Sequence, residues 1–510
     1  MPWTVWRGGD LEGDDVQVGS LIRMAARHFG DAPCLTAEGR TVSFAELDLA
    51  TDRVGSAMLG AGLQPGDRVA VLLPNGIEGL VVYYALAKAG LVRVPLNHRE
   101  TPDEWRYKLA DSGCRGLVHS GNSVDGPDLV HSWDPAWLEA TAWSGEARPC
   151  DVARDVEAPY RLGYTGGTTG QPKGAVLTMR SEHAELAHFL LDLLPGIGPG
   201  DVMLHAAPVI HASGAFFLPH LVRGAHNVVM TTWDPSTYLE DLQRTNATAS
   251  FLVPTMIAMV VDEPGADSLS VPALRRLCWG ASPMAPSVAE RAQQVFGQVL
   301  AQTYGQAEAP MAITVLQPNE HDRVGSAGRA YTLVEVRVVD EEDREVPTGQ
   351  TGEVVTRGQH VMSGYWNRPE ATASALRGGW LHTGDIGRID GDGYLYLVDR
   401  RNDMIISGGS NVYPREIEDV LTAHPAVREA AVVGLPDERW GETVHAVVAL
   451  RPGSQATTDE LLAFAAERVA GFKRPRTIAV WDSLPKSPAN KILRREVRDV
   501  ERNRMAGESR

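Results

Sequence analysis

The chain has 510 residues and a mass of 55.2 kDa, which exceeds the usual size of one hydrophobic core and predicts more than one domain. Its 43% hydrophobic and 22% charged residues, with 51 Gly and 32 Pro, exclude the disordered and fibrous classes. A formal net charge of −17 disfavours nucleic-acid and anionic-membrane partners, although a local basic site for phosphates is compatible with it.

The N-terminal segment MPWTVWRGGDLEGDD lacks the apolar core of a signal peptide. The most apolar later stretch, residues 79–96, is interrupted by Lys88 and Arg93, so no membrane span is predicted. The four cysteines have no CxxC spacing, which indicates neither a zinc site nor a disulfide framework. These features favour a cytoplasmic protein.

From Arg68 onward, apolar strands alternate with helical stretches. The order is strand RVAVLL, a helix through Ala89, strand VRVPL, a helix at residues 102–110 and strand GLVHS. A second run begins near Asp201 with VMLHAAP, NVVMT, a helix at 235–244, SFLVP, RRLCWG and a helix at 286–296. This alternation predicts mostly parallel sheets covered by helices.

The pattern of apolar residues and glycines changes in the last third of the chain. Between residues 325 and 397, short Gly-punctuated strands such as EVRVVD, GEVVTRG and YLYLVD predict a small antiparallel barrel or sheet. After Asp399 a mixed order of helices and strands predicts a compact α+β domain. We therefore predict an α/β fold, with a large N-terminal domain at 1–399 of parallel, helix-covered sheets plus a small β-barrel-like part, and a small domain at 400–510.

The sharpest local motif is YTGGTTGQPKG at residues 164–174. Its small residues allow close backbone approach, and its hydroxyls and lysine suit phosphate oxygens. It is not a Walker loop, because Lys173 lies between Pro172 and Gly174. On its own, this string is equally compatible with a flexible surface loop.

The string resembles the signature loop of the acyl-adenylate-forming superfamily, which includes acyl-CoA synthetases, nonribosomal adenylation domains and luciferases. Further motifs follow in that family's order from Phe44 to Arg495, and an ordered set of this length is not expected by chance. These motifs are HASG at 211–214, WGAS at 279–282, YGQAE at 304–308, GSAGR at 325–329, LHTGD at 381–385, DRRNDMIISGGSNVYPREIE at 399–418 and NKILRR at 490–495.

The resemblance implies ATP and Mg²⁺ as cofactors of an adenylation site. Glu308 is the carboxylate that would hold Mg²⁺, with Thr165 as its hydroxyl partner. Asp385 would bind the ribose hydroxyls, and Arg400 would reach the same ribose and phosphate region. The remaining nucleotide contacts expected by resemblance are Gly166, Gly167, Thr168, Thr169, Lys173, Gly280, Ala281, Ser282, Tyr304, Gly305 and Gln306.

Each of these residues also has an ordinary interpretation outside the motif. Glu308 could be a solvated charge at the start of a helix, Tyr304 a packed aromatic and Arg400 a surface cation. Two positions depart from the family pattern, since Gly167 stands where Ser is frequent and Ala307 where Thr usually bonds the α-phosphate. One neutral hydrogen bond is worth about 0.5–1.5 kcal/mol, so we expect these departures to tune the rate without abolishing the reaction.

By resemblance, Lys491 bridges the carboxylate and the α-phosphate during adenylation, and the small domain is mobile about a hinge at Asn402. Gly408 and Gly409 would then line a pantetheine tunnel after rotation, although they also fit an ordinary hairpin turn. For coenzyme A, the resemblance points to an aromatic and cationic set that comprises Trp440, Phe472, Lys473 and Arg474. Trp440 could equally be a core residue of the small domain.

The acyl pocket implied by the family is lined here by HASGAFF, PTM, WGAS and APMA, which are mostly small and apolar. His211 is the candidate gate or pocket wall, although a histidine among apolar residues is often simply packed. We expect an aromatic, alicyclic or medium-chain monocarboxylic acid rather than a dicarboxylic one.

The sequence predicts an AMP-forming carboxylic acid:CoA ligase, whose partners are a small acid, ATP and CoA. The alternatives are an acyl-AMP ligase that delivers to a carrier protein, a luciferase-type oxygenase and a nucleotide-binding regulator without catalysis. Intact Glu308, Asp385 and Lys491 argue against the regulator. The sequence leaves open whether the chain forms a homodimer.

Overall fold

The structure is a computed structural model that describes residues 16–165, 171–400, 403–407, 410–437, 440–486 and 492–508. Within these ranges, no helix combines the length and apolar character needed to cross a membrane. The predicted α/β class is confirmed, with two large sheets, their covering helices and a smaller C-terminal part.

Up to residue 178, the described residues of the chain form five α-helices and eight strands. The helices are α1 Val18–Phe29, α2 Phe44–Gly60, α3 Ile77–Lys88, α4 Pro102–Ser112 and α5 Pro135–Trp143. The strands are β1 Pro33–Ala37, β2 Arg40–Ser43, β3 Arg68–Leu72, β4 Val92–Pro95, β5 Gly116–His119, β6 His131–Trp133, β7 Pro159–Thr165 and β8 Lys173–Thr178.

The middle part supplies most of the larger sheet. Its helices are α6 Met179–His188, α7 Ala212–Ala215, α8 Phe217–Val222, α9 Pro235–Arg244, α10 Pro254–Val261, α11 Pro286–Phe296 and α12 Pro369–Ala375. Its strands are β9 Val202–His205, β10 His226–Val229, β11 Ala249–Leu252, β12 Arg276–Gly280, β13 Leu300–Gln306, β14 Ala309–Leu316, β15 Ser326–Ala330, β16 Glu335–Val339, β17 Gly352–Arg357, β18 Gly364–Tyr365, β19 Leu381–Ile389 and β20 Leu395–Arg400.

The C-terminal part forms a sheet and a hydrophobic core of its own. Its strands are β21 Ile405–Ser407, β22 Ser410–Val412, β23 Val427–Asp437, β24 Gly441–Leu450 and β25 Thr477–Trp481. Its helices are α13 Pro414–Thr422, α14 Thr458–Ala466 and α15 Arg494–Glu508. Ile417 on α13 packs with Val432 and Val444 of the sheet in this core. We call residues 403–508 the small unit and residues 16–400 the large unit.

Two sheets organise the large unit. One has seven strands in the order β18-β8-β7-β4-β3-β5-β6, and the other has thirteen in the order β16-β17-β19-β20-β15-β14-β13-β12-β11-β9-β10-β1-β2. The predicted βαβαβ runs form the parallel centres of both sheets. The expected antiparallel strands after residue 325 are present and continue the larger sheet through β14 and β15.

Local sequence explains where several elements begin. Thr101 accepts a hydrogen bond from the Glu104 amide and Pro102 opens α4, which is a capping box with proline in the first turn. The central strands β3 and β11 are buried along nearly their whole length, as expected for parallel strands covered on both faces.

Candidate active site

Three residues that are expected to bind the nucleotide meet where β13 approaches β19 and β20. The Tyr304 hydroxyl donates to Asp385 Oδ2 at 2.5 Å, and Arg400 Nε lies 3.3 Å from Asp385 Oδ1. Asp385 and Arg400 also face each other in the β19–β20 ladder. Gly384, with φ of 69°, makes the turn before Asp385 that few other residues adopt without strain.

The charges at this corner influence one another. Burial, then the Asp385 carboxylate, raises the pKa of the Tyr304 hydroxyl well above its usual value, so it remains a hydrogen-bond donor. Burial alone would lower the pKa of Arg400, but the carboxylates of Asp385 and Asp403 raise it. Arg400 is about half exposed, so its cation remains accessible from solvent while Asp385 is largely covered.

Backbone packing shapes the segment from Gly280 to Ser282. A Cβ on Gly280 would lie 2.3 Å from the Thr303 carbonyl oxygen, so only glycine fits there. Ala281 has φ of 70°, a left-handed conformation that costs an alanine about 1–2 kcal/mol. Such strain is found at ligand-binding turns.

A similar constraint applies at the end of β13. A Cβ on Gly305 would lie 2.3 Å from the Met311 backbone nitrogen. Gln306 reaches across to the LHTGD strand, where its Nε2 donates to the Thr383 carbonyl at 3.3 Å. The YGQAE and LHTGD motifs are therefore in direct contact.

Glu308 lies in the turn between β13 and β14 and is nearly buried. The Tyr365 hydroxyl donates to Glu308 Oε1 at 2.7 Å, and the Lys173 ammonium lies 4.7 Å from the centre of the Tyr365 ring. Thr165 pairs with Lys173 in the β7–β8 ladder. The structure thus brings the backbone of Thr165, together with Lys173 and Glu308, into one neighbourhood.

Helix α4 holds both stems of the signature loop. The Tyr164 hydroxyl donates to Asp111 Oδ2 at 2.8 Å, and the Tyr107 hydroxyl donates to the Pro172 carbonyl at 2.7 Å. Arg368 pairs with the other oxygen of Asp111 at 2.5 Å. Tyr107 and Asp111 are four residues apart and therefore project from the same face of the helix.

His211 lies at the start of α7 and contacts a residue from the other sheet. Asn97 Nδ2 lies 3.0 Å from His211 Nε2, while Asn97 Oδ1 accepts from the Arg99 amide at 3.0 Å. Because this amide fixes which way the Asn97 side chain points, Nδ2 is the donor and Nε2 is the unprotonated ring nitrogen. Asn97 therefore holds the candidate gate through its Nε2 atom.

In the small unit, two segments expected at CoA come together. The Arg476 guanidinium lies 4.6 Å from the centre of the Trp440 ring, in a cation–π contact. Phe472 is 49% exposed, which leaves its ring accessible to a ligand. Lys473 is held by two contacts to Glu416, at 2.9 and 2.6 Å, and Arg474 is exposed.

Several predicted site residues lie outside the described residues: Gly166, Gly167, Thr168, Thr169, Asn402, Gly408, Gly409 and Lys491. The flanking residues are described. Lys486 and Ile492 form an antiparallel bridge on either side of Lys491, and β21 and β22 flank Gly408 and Gly409.

The side chains near Glu308 determine which metal ion the site suits. In the described portion of the chain, no three His, Cys, Asp or Glu side chains cluster as a metal site. Mg²⁺ usually binds proteins through one or two carboxylates and takes its other ligands from water and substrate phosphates. Glu308 beside the phosphate loop fits that limited protein contribution.

Sequence reasoning missed the residues that hold the predicted ones. Tyr365 is 57 positions from Glu308, and Asn97 is 114 positions from His211, so no local spacing relates either pair. The Gly, Asn and Pro of the GYWNRP string around Tyr365 predict a turn, but nothing in the string indicates a bond to Glu308.

Comparison with known proteins gives a consistent result. The family model of the AMP-binding enzyme matches residues 22–366, and that of the AMP-binding enzyme C-terminal domain matches residues 416–491. Feruloyl-CoA synthase of Amycolatopsis sp. is 37% identical over 487 residues, which cover 94% of this chain and 98% of the relative. The fatty acid–[acyl-carrier-protein] ligase ScoC of Streptomyces coeruleorubidus is 38% identical over 492 residues, covering 93% of this chain and 94% of that relative.

Among solved structures, o-succinylbenzoate CoA synthetase from Bacillus subtilis, in complex with its acyl-adenylate intermediate, superposes with a TM-score of 0.86. It is 30% identical, and the match covers 94% of this chain and 98% of that one.

Proposed function

The chain belongs to the family of AMP-binding enzymes, and from that premise we propose that it is an AMP-forming acyl-CoA synthetase for an aromatic or fatty monocarboxylic acid. It uses ATP to convert the acid to an acyl-adenylate and transfers the acyl group to CoA. The observation that carries the proposal is the corner at which Tyr304 and Arg400 each contact Asp385, at 2.5 and 3.3 Å.

In the adenylation step, an acid oxygen attacks the α-phosphorus of ATP and pyrophosphate leaves. The Asp385 carboxylate accepts hydrogen bonds from the ribose hydroxyls and thereby fixes the nucleotide. Arg400 places a cation on the solvent-exposed side of the same corner. Lys173 and the loop backbone neutralise phosphate oxygens. When bound, Mg²⁺ would neutralise charge on the phosphates, and Glu308 with Thr165 would hold it.

The second step requires a different set of groups from the small unit. The CoA thiol attacks the acyl carbonyl carbon and AMP leaves with the oxygen that joined them. We propose that Lys491 serves the first step, and that Gly408 and Gly409 line the pantetheine tunnel in the second. One orientation can hardly place both at the same carbonyl, so the small domain, 400–510, turns against the domain at 1–399 about Asn402.

The acceptor is the point on which the alternatives differ. ScoC, which is 38% identical, is a ligase for an acyl carrier protein. We favour CoA because Phe472 and Arg474 are exposed, and Arg476 of the same segment lies 4.6 Å from the centre of the Trp440 ring. Exposed aromatic and cationic groups suit an adenine ring and a phosphate. Equilibrium sedimentation of the pure protein would distinguish a monomer from the homodimer.

A panel of free acids tests this function. We expect AMP release that requires both CoA and the acid, with turnover on a phenylpropenoic or a medium-chain acid and none on malonate. A thioester product identified by mass spectrometry would support CoA as acceptor. Activity with a carrier protein and none with CoA would favour the alternative acceptor, and no pyrophosphate release with any acid would reject the proposal.

Replacing Asp385 with alanine tests the ribose role. We expect the KM for ATP to rise about tenfold or more, because a charge-assisted pair of hydrogen bonds is lost. Thioester formation from supplied acyl-AMP should slow by a similar factor, since the same ribose is bound in both steps. If only one half-reaction changes, Asp385 does not hold the ribose throughout.

The contacts of α4 predict a second effect on ATP binding. Tyr107→Phe and Tyr164→Phe each remove one hydroxyl that anchors the loop, so the KM for ATP should rise severalfold with little change in kcat for thioester formation. Tyr394→Phe is the matched control, because its hydroxyl also bonds a carboxylate, Glu320, at 2.8 Å but away from the loop. Equal effects of all three changes would contradict a specific anchoring role for α4.

A further inference from the structure

Arg494 joins three carboxylates at the boundary between the two units. Its Nε and Nη2 bind both oxygens of Glu418 at 2.8 and 2.5 Å. Its Nη1 donates to Asp399 Oδ1 at 2.8 Å and to Asp403 Oδ2 at 3.0 Å. Glu418 and Asp403 belong to the small unit, like Arg494 itself, but Asp399 lies on β20 of the large unit.

Asp399 makes a second bond to the small unit. Its Oδ2 accepts from the Arg415 backbone amide at 2.9 Å, in the first turn of α13. Tyr413, at the N-cap position of that helix, provides no side-chain cap, so the carboxylate from β20 takes this role. The helix dipole favours a negative charge at this end.

The Asp399 carboxylate is shielded from solvent. Its side chain is 2% exposed, against 19% for Arg494. The Arg400 backbone amide also donates to Asp399 Oδ1, at 2.8 Å. Removing one partner of a buried, hydrogen-bonded ion pair is far more disruptive than removing one partner of an exposed pair. Another ion pair between the units, Arg451 with Asp262 at 3.4 Å, is 40% and 62% exposed and should contribute little.

We propose that Asp399 is a positioning residue that selects the orientation of the small unit seen here. If the small unit turns about Asn402, Arg494 keeps its hydrogen bonds to Glu418 of α13, because Arg494 and α13 both belong to the small unit and move together. Within this cluster, only the two bonds to Asp399 must break. The contact therefore stabilises one orientation and not the other, and its loss shifts their ratio.

This inference rests on the proposed two-step function, in which each step needs its own orientation. Asp399→Asn should therefore change the two half-reactions in opposite senses, so that their rate ratio shifts about tenfold. Pyrophosphate exchange reports the first step, and thioester formation from supplied acyl-AMP reports the second. A change of both rates by the same factor would overturn the inference.

The orientation itself can be measured without any substrate. All four native cysteines are buried, so spin labels can be directed to cysteines introduced at exposed Gln294 on α11 and Ala463 on α14. Double electron–electron resonance should give one main distance in the parent protein and a second, enriched distance with Asp399→Asn. Arg451→Gln, which breaks the exposed pair, should leave the distribution unchanged.

Arg494→Lys provides a second variant that keeps the charge but loses the bidentate geometry. It should shift the distances in the same direction as Asp399→Asn, with a thermal melt to verify that each variant is folded. An unchanged distribution in both folded variants would overturn the role of Asp399. A protein that adenylates no acid would reject the proposed function and would leave the distance measurement valid.

Discussion

Replacement of Lys491 by alanine is expected to lower the rate of acyl-adenylate formation by roughly 10²–10³, the cost of removing one cation from the developing charge in the transition state. The same variant should still convert supplied acyl-AMP and CoA to thioester at near the parent rate. The reason is that the lysine contacts the reacting groups only in the adenylation orientation. Quenched single-turnover measurements of each half-reaction would separate the two effects.

Gly409→Leu is the matched variant for the other step. A leucine side chain would obstruct the pantetheine tunnel while Lys491 remains, so thioester formation should fall and pyrophosphate exchange should persist. Asn402→Pro fixes φ near −65° at the pivot and should slow the exchange between orientations. If Lys491→Ala and Gly409→Leu impair both steps equally in folded protein, rotation of the small domain does not separate the two steps.

Glu308→Gln should reduce adenylation by roughly 10² or more, because it removes the charged ligand proposed for Mg²⁺ at the transferring phosphates. Glutamine keeps an oxygen that accepts from the Tyr365 hydroxyl, so the fold should be retained. Pyrophosphate exchange measured across a Mg²⁺ titration should show a rightward shift as well as a lower maximum.

Tyr365→Phe is the control for this variant. It removes the hydroxyl that bonds Glu308 but leaves the carboxylate, so adenylation should fall less than about tenfold, as expected for one hydrogen bond. Exchange that is unchanged in Glu308→Gln at limiting Mg²⁺ would remove Glu308 from the metal site. A loss in Tyr365→Phe as large as in Glu308→Gln would indicate that the positioning of the loop matters more than the charge.

Local sequence rules predicted much of the fold. Helices Pro235–Arg244 and Pro286–Phe296 were placed at their observed ends because each has Pro in its first turn, and Asp234 caps the former. The hairpin of β7 and β8 was not predicted, since the Gly and Thr residues between its strands hide the alternation of apolar residues. The joining of the antiparallel strands to the larger sheet depends on the β14–β15 pairing, which no local pattern encodes.

The residues of the candidate site, like the fold, could be predicted from the sequence only in part. Asp385 and Glu308 were found because the motifs that contain them match a known family. The contacts that hold them come from distant segments, as in Tyr304 with Asp385, 81 positions apart, and could be found only in three dimensions. Asp399 stood in a recognised motif, but its bond to Arg494 spans 95 positions.

The measurement that tests the central claim most directly follows oxygen from the acid. An acid that turns over in the panel, labelled with ¹⁸O in both carboxylate oxygens, would be incubated with ATP and CoA. An acyl-adenylate route predicts one labelled oxygen in AMP and one in the thioester, because the carboxylate oxygen that attacks the α-phosphorus leaves with it. Label in pyrophosphate or phosphate, with none in AMP, would contradict the account.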